Sequence, residues 1–357
     1  MHTSSATSPD HPPAAARQPV AMAVMSPPEL FGQLIAADSL ERLHGVADLR
    51  GPVFEGFSSP EARALLPEVE VLITGWGCPP VSPEVLDLAV NLKAIIHAGG
   101  VVGDKVPPLP AGRVITASNA GEANGIPVAE YSLVMILLAN KQAFDAVRMY
   151  RTRRNWIDRE SEFPTAGNYR KTVGLVGASR IGRAVAKLLQ PFHLEVLVYD
   201  PYLSYGDAQA LGAELVPLDT LMSRSDVVSL HVPVTPETIG MIGAAELALL
   251  RPGATVINTA RGEVVDQDAL EAELVSGRIS AILDVAVPDV LPPEHVFYDL
   301  PNVFLTPHIA GSMGTELLRM GDHVVSELER YVAGMPFEHP EILASLPDAP
   351  PHRETSA

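Results

Sequence analysis

The chain has 357 residues, 47% of them hydrophobic, with 43 acidic against 25 basic groups and a net charge of −18. That length predicts two domains, and so negative a surface argues against nucleic acid and anionic membranes as partners. The single cysteine, Cys78, excludes an intrachain disulfide and a thiolate metal cluster and fits a reducing cytoplasm; no apolar run reaches transmembrane length, and the N-terminus lacks the basic start and apolar centre of a secretion signal.

Residues 1–27 are rich in Pro, Ser, Thr and Ala and read as a disordered tail, as do residues 341–357. Between them strand-like and helix-like stretches alternate, so the predicted class is α/β. Val69–Thr74 and Leu92–His97 read as buried strands, ending in Gly75-Trp76-Gly77 and Gly99-Gly100. Val114-Ile115-Thr116 is a third, ending near Asn119. Ligands gather at the carboxyl ends of strands in open α/β sheets. The backbone N–H groups around Gly99 and Gly100 are therefore candidates to hold a small anion.

Gly125-Ile126-Pro127 then opens a helical pattern, since proline suits a first helical turn. Val128, Tyr131, Val134, Leu137 and Leu138 share a broad apolar face, predicting a long helix that runs from the first domain into the second. Met149–Gly167, with Arg151, Arg153, Arg154 and Trp156, reads as a surface connection.

Thr172–Asp200 reads as strand, tight turn, helix and strand. The apolar Val173, Leu175 and Val176 stop at Gly177-Ala178-Ser179-Arg180-Ile181-Gly182, and Ile181, Val185, Leu188 and Leu189 then share a helical face. This is the layout of a dinucleotide-binding βαβ unit, in which the pyrophosphate rests on N–H groups at a helix N-terminus. Asp200 lies 23 residues after Gly177, where a carboxylate can accept from an adenosine ribose. Ser179 occupies the middle position of the glycine motif; its Cβ crowds the pyrophosphate, while its hydroxyl is a candidate donor to a phosphate oxygen.

Further strands are predicted at Asp226–Leu230, Ala254–Asn258, Ile279–Val285 and Val303–Leu305, followed by a last helix at about Ser312–Tyr331 that packs back on the first domain. Three ionisable groups lie beyond these strand ends: Arg261, Asp289 and His308. Hydride transfer to a ketone needs a cation to bind and polarise the carbonyl and a neighbouring carboxylate, and the rigid fork of arginine does this. It needs an acid for the developing alkoxide, a task for histidine, and a carboxylate beside it to stabilise imidazolium. A lone histidine, arginine or Asp in Val287-Pro288-Asp289 is more often structural or solvated, so spacing alone does not decide the matter.

The surrounding words do. Val128-Ala129-Glu130, the Gly177–Gly182 turn, His231-Val232-Pro233 with Thr235 and Thr238, Arg251-Pro252-Gly253-Ala254, Asn258-Thr259-Ala260-Arg261-Gly262, Leu283-Asp284-Val285, and Leu300–Val303 through Thr306-Pro307-His308-Ile309-Ala310-Gly311 occur in order. Over about residues 72–334 the chain thereby resembles the D-2-hydroxyacid dehydrogenase family. The resemblance implies a Rossmann-type doubly wound parallel sheet domain at 141–311 that binds NAD. It also implies a smaller flavodoxin-like α/β substrate domain from 28–140 and 312–340, and a homodimer joined through the central domain.

By position, the resemblance makes Arg261 the substrate-binding arginine, His308 the acid/base and Asp289 its carboxylate partner, with Gly99 and Gly100 holding the substrate carboxylate. It assigns Asp284 to the nicotinamide carboxamide. Gly177, Ser179, Arg180, Ile181, Gly182, Asp200, His231, Val232, Pro233, Thr238, Thr259, Ala260 and Gly311 fall at its cofactor positions, and Asn124 near the cleft. Asp200 with no arginine after it points to NAD over NADP. Two departures stand out. Ser179 replaces a glycine, and Asp289 replaces the usual glutamate five residues after Asp284. Losing the contact to His308 would cost roughly ten- to a hundredfold in rate, about 1.4–2.7 kcal/mol. The expected activity is interconversion of a small 2-ketoacid and a D-2-hydroxyacid; the alternative is an NAD(H)-sensing binding protein of the same fold.

Overall fold

The computed structural model describes residues 17–345. Of the two expected tails, residues 1–16 and 346–357 lie outside the described residues. The remainder forms two compact units, residues up to Gly121 with those from Leu317, and Glu122–Glu316. These divisions differ from the 140/141 and 311/312 junctions expected from the sequence.

The strands in chain order are β1 (Val20–Val24), β2 (Asp48–Leu49), β3 (Val71–Gly75), β4 (Ala94–Ala98), β5 (Thr116–Asn119), β6 (Thr172–Val176), β7 (Glu195–Tyr199), β8 (Glu214–Leu215), β9 (Val227–Leu230), β10 (Thr255–Asn258), β11 (Ser280–Leu283), β12 (Val303–Leu305) and β13 (Pro340–Glu341). Four helices matter for the site: α1 (Gly121–Asn140), α2 (Ala143–Arg153), α3 (Arg180–Leu189) and α4 (Leu317–Val332).

In the first unit the sheet order is β13-β5-β4-β3-β1-β2, parallel except for β13 against β5. Without the antiparallel edge this is the flavodoxin-like order. Every residue of β1, β3 and β4 is buried, as strands covered on both faces must be. α4 buries Met320, Val324, Val325 and Leu328, an i, i+4 stripe, in this unit.

Ordered structure extends into both expected tails. Val20–Val24 is a strand between β3 and β2, because an unbroken VAMAV run follows directly on the polar segment. Pro340–Glu341 pairs with Ser118 and Ala117, and the Glu341 carboxylate accepts from Val102 N, Gly103 N and Asn119 Nδ2 at 2.5–3.1 Å.

In the second unit the order is β12-β11-β10-β9-β6-β7-β8, all parallel. This is the doubly wound order, with its switch point between β6 and β9. One core holds Val176, Val228, Leu230, Val256 and Leu283; the other holds Val173, Leu175, Ile257, Ile282, Val185 and Leu189, with Ile136 of α1. α1 begins six residues before Pro127, which therefore lies inside the helix and not in its first turn. The expected α/β class with a Rossmann-type domain and a smaller flavodoxin-like one is the observed architecture.

Candidate active site

The turn after β6 is built for close approach. Gly177 has φ +98°, and a Cβ on Gly182 would stand 2.1 Å from Gly177 O. The first turn of α3 begins at Ser179 with no side-chain cap, which leaves its N–H groups for an anion. Asp200, just beyond β7, accepts from Ala178 N at 2.7 Å and Tyr202 N at 2.8 Å, so the carboxylate and the turn are tied together. A narrow glycine turn, an uncapped helix start and a carboxylate at the next strand end fit a dinucleotide.

Ser179 differs from the sequence expectation. Its hydroxyl donates to His231 O at 2.7 Å. A hydroxyl has one proton, so while that bond stands it has none for a phosphate oxygen. Arg180 Nε pairs with Glu122 Oε1 at 2.7 Å across the starts of α3 and α1. Ile181 follows it in the first turn of α3.

His231-Val232-Pro233 leaves the end of β9 and runs beneath this turn; Val232 Cγ1 is 2.7 Å from where a Cβ on Gly177 would stand. The His231 ring is buried with neither nitrogen hydrogen-bonded, and burial pushes its pKa down to about 4. Thr238 Oγ1 donates to Pro233 O at 2.6 Å and closes the following loop.

Beyond β10, Asn258 shapes the next loop. Its Oδ1 accepts from Ala260 N at 3.0 Å and its Nδ2 donates to Arg261 O at 2.9 Å. The Thr259 hydroxyl lies 3.1 Å from that of Ser132 on α1. The Arg261 guanidinium is exposed, and one nitrogen donates to Ala260 O. Register pairs Asn258 with Leu283 and Leu283 with Leu305. Arg261, Asp284 and His308 thus follow three adjacent strands at the same sheet edge.

Asp284 is 2% exposed and organises the loop after β12. Its Oδ1 accepts from Thr306 Oγ1 at 2.6 Å and Ile309 N at 2.8 Å, and its Oδ2 from Ala310 N at 2.8 Å. His308 N donates to Asp284 O at 2.9 Å. These bonds hold His308 at φ +56°, a left-handed conformation that costs a non-glycine residue roughly 1–2 kcal/mol. A carboxylate has about four acceptor sites. Three of those on Asp284 are filled from within the chain, which leaves one for a carboxamide.

Asp289 and His308 come together, with Asp289 Oδ1 3.9 Å from His308 Nδ1. That is an ion-pair distance and too long for a hydrogen bond. Gln267 braces the approach to Asp289, accepting from Val287 N and donating to Val287 O at 2.9 and 2.8 Å. Arg261 forms no ion pair with either group. Gly311 packs on Asn124, whose Oδ1 accepts from Ser312 N at 2.9 Å.

Gly99 and Gly100 belong to the other unit, just beyond β4. Beneath them His97 is buried, with Nδ1 2.8 Å from Thr74 Oγ1. A Cβ on Gly99 would meet His97 Nε2 at 2.3 Å, so the loop lies directly on the imidazole. Burial, with Lys105 adding to it, pushes His97 down to about 4.

Sequence reasoning missed four contributors: Glu122, Tyr131, Thr306 as a hydrogen-bonding group, and His97. Tyr131 alone left a trace, because a phenol on an otherwise apolar helix face needs a polar partner. Among the described residues no group of three His, Cys, Asp or Glu is placed to hold a metal, and no helix is long and apolar enough to cross a membrane.

Residues 133–310 match the family model described as D-isomer specific 2-hydroxyacid dehydrogenase, NAD binding domain. The D-3-phosphoglycerate dehydrogenase of Archaeoglobus fulgidus is 33% identical over 292 residues, covering 82% of this chain and 55% of that protein. The chain thus spans about half the length of that relative. The glyoxylate reductase of Korarchaeum cryptofilum is 34% identical over 259 residues, 71% of this chain and 77% of that protein. A phosphoglycerate oxidoreductase structure from Rhizobium etli shares the fold at a TM-score of 0.76 and 24% identity, over 92% of this chain and 100% of that one. A glycine turn made for a dinucleotide, three strand ends carrying arginine, aspartate and histidine, and a relative matched over most of its length converge: the chain belongs to the D-isomer specific 2-hydroxyacid dehydrogenase family.

Proposed function

We propose that the chain is an NAD(H)-dependent oxidoreductase that interconverts a small 2-ketoacid and the matching D-2-hydroxyacid. The observation that carries this reading is the meeting of His308 and Asp289 at 3.9 Å, on the sheet edge that also bears Arg261. When bound, the nicotinamide cofactor supplies or takes the hydride.

The residues fitted to hold that cofactor are the Gly177–Gly182 turn, including Ser179, Arg180 and Ile181, with Asp200, His231-Val232-Pro233, Thr238, Thr259, Ala260, Asp284 and Gly311. Arg261 binds the ketoacid carboxylate and polarises the carbonyl. His308 gives the carbonyl oxygen a proton in the reducing direction and takes it back in the other. Asp289 is the carboxylate partner of that imidazole. The chain's own contribution is to pre-position a cation and a proton donor on either side of one oxygen.

The chain is also proposed to act as a homodimer in the cytoplasm. Support for the dimer is an apolar cleft on α2 and the segment after it, lined by Val147, Tyr150, Ile157, Phe163 and a Trp156 that is 77% exposed. Support for the compartment is the lone, buried Cys78.

The test is NADH oxidation with a panel of small 2-ketoacids, using the wild-type chain and His308→Ala. Wild-type turnover that falls at least about a thousandfold in the variant, with NADH still bound, supports the reading. Near-normal turnover by His308→Ala overturns it, and NADH binding with no turnover on any ketoacid supports the sensor in its place.

A further inference from the structure

We propose that Thr306 and Tyr131 are positioning residues for His308, acting through Asp284; this rests on the acid/base reading of His308 above. Proton count sets the direction of the bonds. Thr306 Oγ1 lies 2.6 Å from Asp284 Oδ1 and 2.8 Å from Tyr131 Oη. A threonine hydroxyl carries one proton, and the Asp284 carboxylate accepts it. The Tyr131 hydroxyl is therefore the donor to Thr306, and the chain of bonds has one direction: Tyr131 to Thr306 to Asp284.

The end of that chain is the segment that carries the imidazole. Asp284 accepts from the backbone of Ile309 and Ala310 with its side chain and from His308 with its carbonyl. Three consecutive residues hang from one buried aspartate, and the first of them is in the left-handed region. The Thr306 proton is the only side-chain donor to the Asp284 oxygens among the described residues, and it fixes the plane of the carboxylate relative to those two amides. Burial pushes the Tyr131 phenol above its usual range, so it remains a donor wherever the histidine cycles. α1 thus reaches the acid/base through two hydroxyls, although Tyr131 and Thr306 are 175 positions apart in sequence.

Three substitutions in the full chain test this: Thr306→Val, which keeps the shape and removes the hydroxyl; Thr306→Ser, which keeps the hydroxyl; and Tyr131→Phe, which removes a single oxygen. The readouts are kcat and KM for the ketoacid that the wild type reduces, NADH affinity, and the imidazole titration of His308 followed by NMR without substrate. We expect Thr306→Val to lose about ten- to a hundredfold in kcat, as a displaced catalytic group does, with KM and NADH affinity within about threefold. Thr306→Ser recovers to within about threefold of wild type, and Tyr131→Phe loses about three- to tenfold. The His308 titration midpoint moves in Thr306→Val and returns in Thr306→Ser. The proposal is overturned if Thr306→Val keeps kcat and the His308 titration unchanged, or if valine and serine lose activity alike, which marks a packing role. Should the wild type reduce no ketoacid, the oxidoreductase reading fails, while the titration still decides whether Thr306 positions His308; should Thr306→Val fail to fold, Tyr131→Phe decides it.

Discussion

His308 Nδ1 and Asp289 Oδ1 stand 3.9 Å apart, a gap that one methylene would close. Both side chains are at least half exposed, so water weakens the pair further. Asp289→Glu should bring the carboxylate to hydrogen-bond distance and raise kcat by about three- to tenfold. Asp289→Asn should lower it by less than about tenfold, in keeping with an exposed pair worth roughly 1 kcal/mol or less. Steady-state kinetics on both variants check this; a loss beyond about tenfold in Asp289→Asn would mean a tighter contact.

Glu122 competes with any anion for Arg180. The 2.7 Å ion pair is half exposed and so worth about 1 kcal/mol at most. Glu122→Gln should free the guanidinium and tighten NADH binding by about two- to fivefold, more at low salt than at high salt. Fluorescence titration at two ionic strengths reads this directly, and weaker binding in the variant would show that Glu122 holds Arg180 in its binding pose.

The Ser179 hydroxyl and its Cβ should separate by mutation. Ser179→Ala removes the bond to His231 O and should cost about 1 kcal/mol of stability with NADH affinity little changed. Ser179→Gly removes the Cβ as well and should bind NADH about two- to fivefold more tightly. Chemical denaturation together with NADH titration tests both arms, and a large affinity loss in Ser179→Ala would put the hydroxyl on the cofactor after all.

Acid should destabilise both units. His97 and His231 are pushed down to about 4, against roughly 6.5 in an unfolded chain. Between those values the unfolded chain binds more protons than the folded one, so stability falls as pH falls. The contribution is fully present above about pH 6.5 and gone below about pH 4, and about 2 kcal/mol of it is lost for each histidine by pH 5. Urea midpoints from pH 7.5 down to pH 5 measure the slope, and His231→Asn should flatten it in the second unit. A flat profile for the wild type would show that neither ring stays neutral.

The parallel strands were legible because they are short apolar runs stopped by glycine or a polar residue, and β6 and β12 stand where the runs do. β1 escaped because the polar composition before Val20 dominated the window, and a five-residue run without flanking periodicity is a weak signal. Pro127 misled the helix start: proline is at home in a first turn, and only packing shows that α1 begins earlier. The neighbouring strand ends that carry Arg261, Asp284 and His308 were legible as words in order. The ion pair of Glu122 with Arg180 and the bond of Tyr131 to Thr306 were not, since sheet topology brings them together and no local pattern encodes it.

The position of β1 bears on how the chain can be shortened. Val20–Val24 hydrogen-bonds to β3 along one edge and β2 along the other. Trimming the polar leader as far as residue 16 leaves that ladder whole. Cutting to residue 25 instead would strip the pairing partner from Val71–Thr74 and bare the edge of a fully buried strand, the usual template for sheet-to-sheet aggregation. Solubility across a short series of N-terminal deletions should therefore drop abruptly once Val20 is lost.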